Sequence, residues 1–173
     1  GSKKDREFWL DLYKEMYREA KRNSPGRLVF PSFDYENVSG KLDGKKKWFL
    51  VDKFAGYMDI LAVSTYPTRV VKSVEEMGEN YYEELYNRYP NLQKAIIDSG
   101  WSTKVTTEEE QVNFLNYIKR KGKDLNLIFW LYRHLFDPTS TFSSTYQGTG
   151  LKTMDDLPKK GYFTWLKIFN NEN

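Results

Sequence analysis

Polar and aromatic side chains gather at the end of one short apolar run. Residues 94–103 pass from three apolar residues into Asp98, Ser99, Gly100 and Trp101. Such a run is typical of a strand buried on both faces of a parallel sheet, where chemistry collects at the carboxyl ends of the strands. Asp98 therefore stands where a parallel sheet places a working carboxylate, with the flat face of Trp101 beside it. A helix N-cap aspartate next to a core tryptophan is the alternative, and this segment alone leaves both open.

Three further apolar runs end in side chains of similar kinds. They are residues 28–36 with Asp34 and Glu36, residues 58–67 with Tyr66, and residues 125–136 with Trp130, Tyr132 and His134. Each has an ordinary structural alternative: the acids suit turns and caps, the tyrosine a loop, and the tryptophan a core. His134 is the only histidine, and the chain has no cysteine. No metal site or cofactor is therefore predicted, and a hydrogen-bonded histidine at a strand end is expected.

The composition argues against several classes of function. The 27 basic residues are nearly balanced by 24 acidic ones, for a net charge of +3, which is not the signature of a nucleic-acid-binding domain. No apolar run is long enough to span a membrane, and the lack of cysteine excludes disulfides and thiol catalysis. A chain of 173 residues is expected to form one domain, with residues 1–3 as a tag remnant and disordered start.

Helices are predicted between these runs. They cover residues 4–22, 48–55, 79–88, about 107–122 and 158–169, and residues 137–150 form an open loop rich in Ser, Thr and Gly. The fourth helix begins at the capping-box spacing of Thr106 and Glu109. Strands that alternate with helices predict an α/β fold with four parallel strands. They form either a small open doubly wound sheet or half of a barrel, because a complete (βα)8 barrel takes about 250 residues.

Three of the runs resemble strands of a known enzyme family. Residues 58–67 (MDILAVSTYP), 95–101 (AIIDSGW) and 128–132 (IFWLY) are similar to the sixth, seventh and eighth strands of the (βα)8 retaining glycoside hydrolases of the endo-galactanase and cellulase type. Residues 29–33 (VFPSF) match the fifth strand, and the last helix fits the one that closes those barrels. The resemblance covers nearly the whole chain in the order and spacing of its elements, although each motif is short.

The resemblance implies a role for each matching residue. Asp98 takes the place of the nucleophilic glutamate, Tyr66 that of the tyrosine that hydrogen-bonds it, and Trp130 that of the sugar platform. The remaining substrate-binding candidates are Phe33, Asp34, Trp101, Tyr132 and His134. Two features depart from the family: Asp98 is one methylene shorter than glutamate, and the acid/base glutamate belongs to a fourth strand that this chain does not contain. Retaining hydrolysis needs two carboxyl groups about 5 to 5.5 Å apart, so the isolated chain is expected to be inactive.

A half-barrel implies a partner. The strands near Val29 and Phe129 would be edges with unpaired backbone groups, and an inward face with Ile60, Ala62, Ile96 and Ile128 as candidates would lie open. We expect another chain to complete the fold, either as a two-fold homodimer or as a separate amino-terminal half. The module would hydrolyse or bind a polysaccharide, and a non-catalytic carbohydrate-binding or assembly module on the same scaffold is the alternative. The resemblance favours an extracellular or cell-surface location.

Overall fold

Four parallel strands alternate with helices along residues 3–139, 141, 143 and 146–170, which are those that the computed structural model describes. The elements are α1 (Lys3–Asn23), β1 (Ser32–Asp34), α2 (Tyr35–Val38), α3 (Trp48–Asp52), β2 (Leu61–Thr65), a 3-10 turn (Pro67–Arg69), α4 (Val74–Met77), α5 (Glu83–Asn87), β3 (Lys94–Ser99), α6 (Glu108–Asp124), β4 (Leu127–Tyr132) and α7 (Lys160–Phe169). Of the expected tag remnant at residues 1–3, Gly1 and Ser2 lie outside the described residues, whereas the backbone of Lys3 begins α1.

The strands follow one another across the sheet in chain order. The order is β1-β2-β3-β4, and each neighbouring pair is parallel. A doubly wound sheet would instead reverse its order at a switch point. Right-handed crossovers that always advance in one direction place their helices on one face of the sheet. The predicted α/β fold with four parallel strands is confirmed, and its order is that of consecutive barrel strands rather than of the doubly wound alternative.

The first strand is much shorter than the sequence predicts. Its expected span was residues 28–36, but pairing is confined to Ser32–Asp34. Pro31 has no amide hydrogen to donate to a ladder, which delays the start of the strand. At the other end, the side chain of Asp34 accepts the amide of Asn37 at 3.1 Å and caps α2. The chain therefore turns into a helix directly at the carboxyl end of β1.

The connections after β2 and β3 also differ in detail from the prediction. The helix expected at residues 79–88 is confined to Glu83–Asn87, and the loop before it contains the short helix α4. Gly78 adopts φ +64°, which ends α4. The N-cap of α6 is Thr107, one residue later than expected, and its hydroxyl accepts the amide of Glu110 at 3.1 Å.

The main core lies between the sheet and the helices. Leu61, Val63 and Ile96 of the central strands pack there with buried residues of the helices. The largest fully buried side chain in it is Trp101, which stacks on Phe114 of α6 with ring centroids 5.3 Å apart. All the helices with buried residues in this cluster therefore cover the same face of the sheet. Ile96, which was expected on the inward face, belongs to this helix side.

The opposite, concave face of the sheet is partly covered by the chain itself. Its central residues are fully buried: Ile60, Ala62 and Ala95. The ring of Phe30, just before β1, contacts that of Phe129 in β4, with centroids 6.1 Å apart. Because β1 and β4 are the two edges of the sheet, this contact reaches across the concave side. The inward face is therefore less open than the sequence suggested.

The segment after β4 folds back onto the strand ends, where a buried lysine holds it through a salt bridge and a hydrogen bond. The amide of Lys152 donates to Leu135 O at 2.8 Å, and the amide of Asp137 donates to Lys152 O at 2.9 Å. Lys159 is only 4% exposed, and its ammonium group contacts Asp137 Oδ1 at 2.7 Å and Thr103 Oγ1 at 2.9 Å. These contacts bring the last turn of the loop, residues 146–150, beside the carboxyl ends of β2 and β3.

Two absences apply to the described part of the chain. None of its helices combines the length and the apolar character that crossing a membrane requires. Within the same residues, no three histidine, aspartate or glutamate side chains are grouped so that they could hold a metal ion.

Candidate functional site

The candidate site lies at the carboxyl ends of the strands, where β1, β2 and β3 are in register. Asp34 of β1 is aligned with Ser64 of β2, and Ser64 with Asp98 of β3. Residues aligned in this way share a face of the sheet. A register shift between Val63 and Ser64 precedes this row, and irregularities of this kind often re-aim side chains next to functional sites.

Asp98 is held on both carboxylate oxygens. The hydroxyl of Tyr66 donates to Oδ1, and the guanidinium of Arg133 pairs with Oδ2. Arg133 follows β4 directly and keeps 42% of its side chain exposed, against 19% for Asp98. The three side chains therefore join the ends of β2, β3 and β4 in one charge-assisted network.

The ring of Tyr66 fits against a glycine. Tyr66 is only 3% exposed, and a Cβ atom on Gly100 would lie 2.9 Å from its Cε1 atom. Burial, followed by the hydrogen bond to Asp98, raises the pKa of Tyr66. The hydroxyl therefore keeps its proton and acts as a donor to the carboxylate at any ordinary pH.

The loop after β4 packs against one side of the network, and its residues Tyr146 and Thr149, together with His134, are called the wall of the site. The ring of Tyr146 meets that of Tyr66 edge to face at 4.9 Å, and the guanidinium of Arg133 lies 5.2 Å from the Tyr146 centroid. The hydroxyl of Thr149 donates to Tyr146 O at 2.6 Å and contacts His134 Nδ1 at 2.8 Å. Because that hydroxyl proton is already committed, Nδ1 of His134 carries a proton and donates. Burial, then Arg133, lowers the pKa of His134, so the ring is a neutral member of the wall.

The two other acidic candidates are engaged elsewhere. Asp34 uses Oδ1 to cap α2 and Oδ2 to pair with Arg69 at 2.5 Å. Glu36 is fully buried on the helix side and does not reach the surface of the site. Within the chain, the row at the strand ends thus contains two carboxylates, Asp34 and Asp98, each already paired with an arginine.

The aromatic candidates lie on the other side of the sheet. Asp98 and Ser99 are neighbours and so point to opposite faces. The indole of Trp130 donates to Ser99 Oγ at 2.7 Å and packs against Trp165 of α7 at 4.9 Å. Trp130 therefore does not share the face of Asp98, and its ring forms part of the core under α7.

The same holds for the remaining aromatic candidates. Trp101 is fully buried and donates its indole N–H to Thr106 Oγ1 at 2.8 Å. The hydroxyl of Tyr132 contacts Gln111 Nε2 at 3.0 Å within the helix-side core. Phe33 packs edge to face on Phe54 at 5.4 Å. Of the predicted site residues, the structure brings Tyr66, Asp98 and His134 together, places Asp34 in their row, and removes these aromatic residues from it.

Sequence reasoning missed several members of the site. Arg133 carried the one available signal, because, like Asp98, it stands late in an apolar run of the sequence. Tyr146 and Thr149 lie in a polar loop whose path no local pattern indicates. Arg69, in the turn after β2, is likewise placed only by its pairing with Asp34.

Comparison with known proteins gives matches at the level of structure only. No family model matches the chain, and no curated protein matches it. The Bifidobacterium dentium β-glucuronidase complexed with coumarin-3-O-glucuronide superposes with a TM-score of 0.65 at 15% identity, over 98% of this chain and 28% of that one. The Ruminococcus gnavus β-glucuronidase in complex with uronic isofagomine gives 0.65 at 15% identity, over 92% and 28%. A β-glucuronidase from an uncultured Clostridium gives 0.64 at 13%, over 94% and 30%.

These matches show the fold. The chain is similar to a part of TIM-barrel glycosidases and spans less than a third of the length of the three structures. The resemblance to barrel glycoside hydrolases is therefore confirmed at this coarse level. The three proteins are β-glucuronidases, so the narrower likeness to galactanases and cellulases gains no support from them.

Proposed function

We propose that this chain is the strand-5-to-8 half of a glycoside hydrolase-like (βα)8 barrel and that its strand-end cluster binds carbohydrate. The observation that carries the proposal is the network of Tyr66, Asp98 and Arg133, which stands at the end of the sheet where barrel enzymes assemble their sites. A carboxylate, a guanidinium and a tyrosine hydroxyl supply the acceptors and donors that sugar hydroxyls need.

Hydrolysis would require a second carboxyl group in reach of Asp98. Asp34 lies two strands away in the same row. Both of its oxygens are engaged, one by the Asn37 amide and one by Arg69, so Asp34 is not available as the second carboxyl group that retaining enzymes hold about 5 to 5.5 Å from the first. As a proposal, the acid/base group comes from completing strands, and the chain alone does not turn over substrate.

A non-catalytic binding or assembly module is the second candidate. It is favoured by the ion pair between Asp98 and Arg133, which offsets the charge that a nucleophile would use. In that case the same residues would hold a sugar without breaking its glycosidic bond. Measured turnover by a completed barrel separates the two candidates.

Carbohydrate binding is tested by amide NMR shifts under titration with cello-oligosaccharides, galacto-oligosaccharides and a glucuronide-terminated oligosaccharide. We expect saturable shifts at Asp98, Arg133 and Tyr146 for at least one sugar at millimolar concentration. Asp98→Asn should weaken that binding roughly fivefold or more, because one charge-assisted hydrogen bond is lost. The control is Asp124→Asn at the far end of α6, where the side chain is 68% exposed. Absence of shifts with all three sugars, or shifts confined to other surfaces, contradicts the proposal.

The proposal also requires completing strands. Each flanking helix packs one apolar face on its own chain and exposes a second. The exposed residues are Phe8, Trp9, Leu12 and Met16 on α1 and Phe163, Leu166 and Phe169 on α7. In a barrel these two faces, like the edges of β1 and β4, would adjoin the other four strands. A second copy of this chain or a separate amino-terminal half would supply them.

Light scattering at micromolar concentration tests this requirement. A second copy predicts the mass of a dimer, whereas a missing separate half predicts a chain that binds the dye ANS and tends to aggregate. Met16→Lys on α1 should reduce either behaviour, and Leu42→Lys, in an exposed loop, is the control. A soluble monomer that melts cooperatively and binds no ANS contradicts the half-barrel.

A further inference from the structure

Glu36 connects the buried core to the candidate site. It lies in the first turn of α2, immediately after β1, and is 0% exposed. Its Oε1 accepts the hydroxyl of Thr65 at 2.6 Å and that of Tyr81 at 3.2 Å. Its Oε2 accepts the backbone amide of Tyr66 at 3.0 Å. The carboxyl group thus holds Thr65, the last residue of β2, and Tyr66, the residue that follows it.

These contacts bear directly on the Tyr66–Asp98 pair. A carboxyl group without exposed surface does not touch a sugar, which removes Glu36 from the candidate acids. Glu36 does hold the backbone of Tyr66, and the side chain of Tyr66 extends from there to Asp98. The Tyr66 ring has little freedom beyond that point, because Gly100 and Tyr146 pack against it.

We propose that Glu36 is a positioning residue: it anchors the Tyr66 backbone so that the tyrosine hydroxyl reaches Asp98. Its relevance to carbohydrate binding rests on the proposed function, whereas the positioning itself does not. Burying a carboxyl group is costly, and a merely structural contact at this place could be made by an apolar side chain of similar size. The presence of an acid at this position is therefore best explained by the hydrogen-bond acceptor that it offers to the Tyr66 amide.

The surroundings of Glu36 determine how it titrates. The charged groups facing it are Asp34 on β1 and Arg69 after β2, and the hydroxyls of Tyr35, Tyr81 and Tyr82 surround it from α2 and the segment before α5. Burial raises the pKa of Glu36 above 4.5, although the hydrogen bonds from Thr65 and Tyr66 oppose it. Burial also raises the pKa of both Tyr81 and Tyr82, so these hydroxyls stay neutral.

The sign of the resulting pH dependence follows from this direction. Between 4.5 and the higher pKa of the folded state, the folded protein holds a proton on Glu36 that the unfolded chain has lost. Stability from this group is therefore complete below pH 4.5 and declines as the pH rises through the folded pKa. The amide proton of Tyr66, which donates to the carboxyl group, should report the same titration in its chemical shift.

Two substitutions separate positioning from packing. Glu36→Gln can turn its carbonyl oxygen to the Tyr66 amide and its NH₂ group to the hydroxyl oxygens of Thr65 and Tyr81. Glu36→Leu has similar size but no acceptor. The readouts are the Cζ resonance of Tyr66 in protein labelled with ¹³C at tyrosine Cζ, and the exchange rate of the Tyr66 amide. Asp98→Ala gives the resonance position when the hydrogen bond is absent.

We expect Glu36→Gln to keep the wild-type resonance and to abolish the titration of the Tyr66 amide. Glu36→Leu should move the resonance to the Asp98→Ala position and speed amide exchange about tenfold or more. A wild-type resonance in a folded Glu36→Leu variant overturns the proposal. If that variant does not fold, the pH series decides: a wild-type Tyr66 amide whose chemical shift stays constant over the whole pH range in which the protein is folded overturns it as well, because an amide bonded to this carboxyl group must sense its titration. Neither readout depends on sugar, so absent carbohydrate binding leaves this test intact.

Discussion

Gly150→Ala is expected to destabilise the chain by about 3 kcal/mol or more and to lower Tm by about 6 to 12 °C. A Cβ atom at this position would overlap the backbone of Asp137 and would lie 2.7 Å from Lys152 O. Backbone atoms cannot move aside as the end of a flexible side chain does. The substitution would push apart the two segments that pair after β4 and so disturb the Lys159 contacts beside the candidate site.

Thermal or urea unfolding measures the loss. Gly26→Ala is the matched control, because a Cβ atom there meets nothing within 4 Å. We expect the control to stay within about 0.5 kcal/mol of the wild type. Equal melting temperatures for the two variants would show that the segment after β4 does not return along the path described above.

Trp101→Ala is expected to cost about 3 to 5 kcal/mol in the free energy of unfolding. The substitution removes the largest fully buried side chain, its stacking on Phe114 and the indole hydrogen bond to Thr106. It leaves a cavity under α6 that the rigid sheet cannot fill. The sequence also allows Trp101 to be a sugar platform, which predicts a small change in stability and a large loss of binding.

Urea unfolding with Phe49→Ala as the control distinguishes these roles. Phe49 is 59% exposed on α3, so its truncation should change stability by less than about 0.5 kcal/mol. Trp101→Phe should retain part of the stacking and fall between the two. If Trp101→Ala proved as stable as Phe49→Ala, the burial of this ring beneath α6 would be wrong.

The positions of the strands could be predicted because their physical causes are local. Each short apolar run ends in polar residues, and helices with periodic apolar faces separate the runs. Local chemistry also explains where elements begin: Pro31 delays β1, and the hydroxyl of Thr107 begins α6. The consecutive order of the strands then follows from right-handed crossovers that all advance in one direction.

The face on which each side chain lies could not be predicted in the same way. Alternation makes a shift of one residue move a side chain to the other face. The pairing of β3 with β4 is irregular between Ile96 and Ser99, and that of β2 with β3 between Val63 and Ser64. Trp130 and Asp98 both stand late in their runs and were grouped for that reason and by the resemblance, although the two lie on opposite faces. Such irregularities depend on tertiary packing and leave no pattern in a single sequence.

The partners of Asp98 depended on even longer-range contacts. Tyr66 lies 32 residues away and Arg133 lies 35 residues away in the chain. The wall around Tyr146 is placed by a loop that Lys159 fastens to Thr103, 56 residues earlier. The late position of Tyr66 and Asp98 in their apolar runs and the resemblance to a family both suggested that the two residues meet, but the resemblance as read from this sequence assigned no role to Arg133.

The contact between Phe30 and Phe129 has a geometric consequence. Phe30 precedes β1 and Phe129 lies in β4, and their ring centroids lie 6.1 Å apart across the concave side of the sheet. This contact favours a curved sheet, because the outer strands of a flat four-stranded sheet would lie about 14 Å apart. Side chains on the concave face of a curved sheet point toward a common centre rather than along parallel lines. We therefore expect this pair, which touches neither acid, to influence how closely the side chains of Asp34 and Asp98 approach each other at the opposite end of the strands.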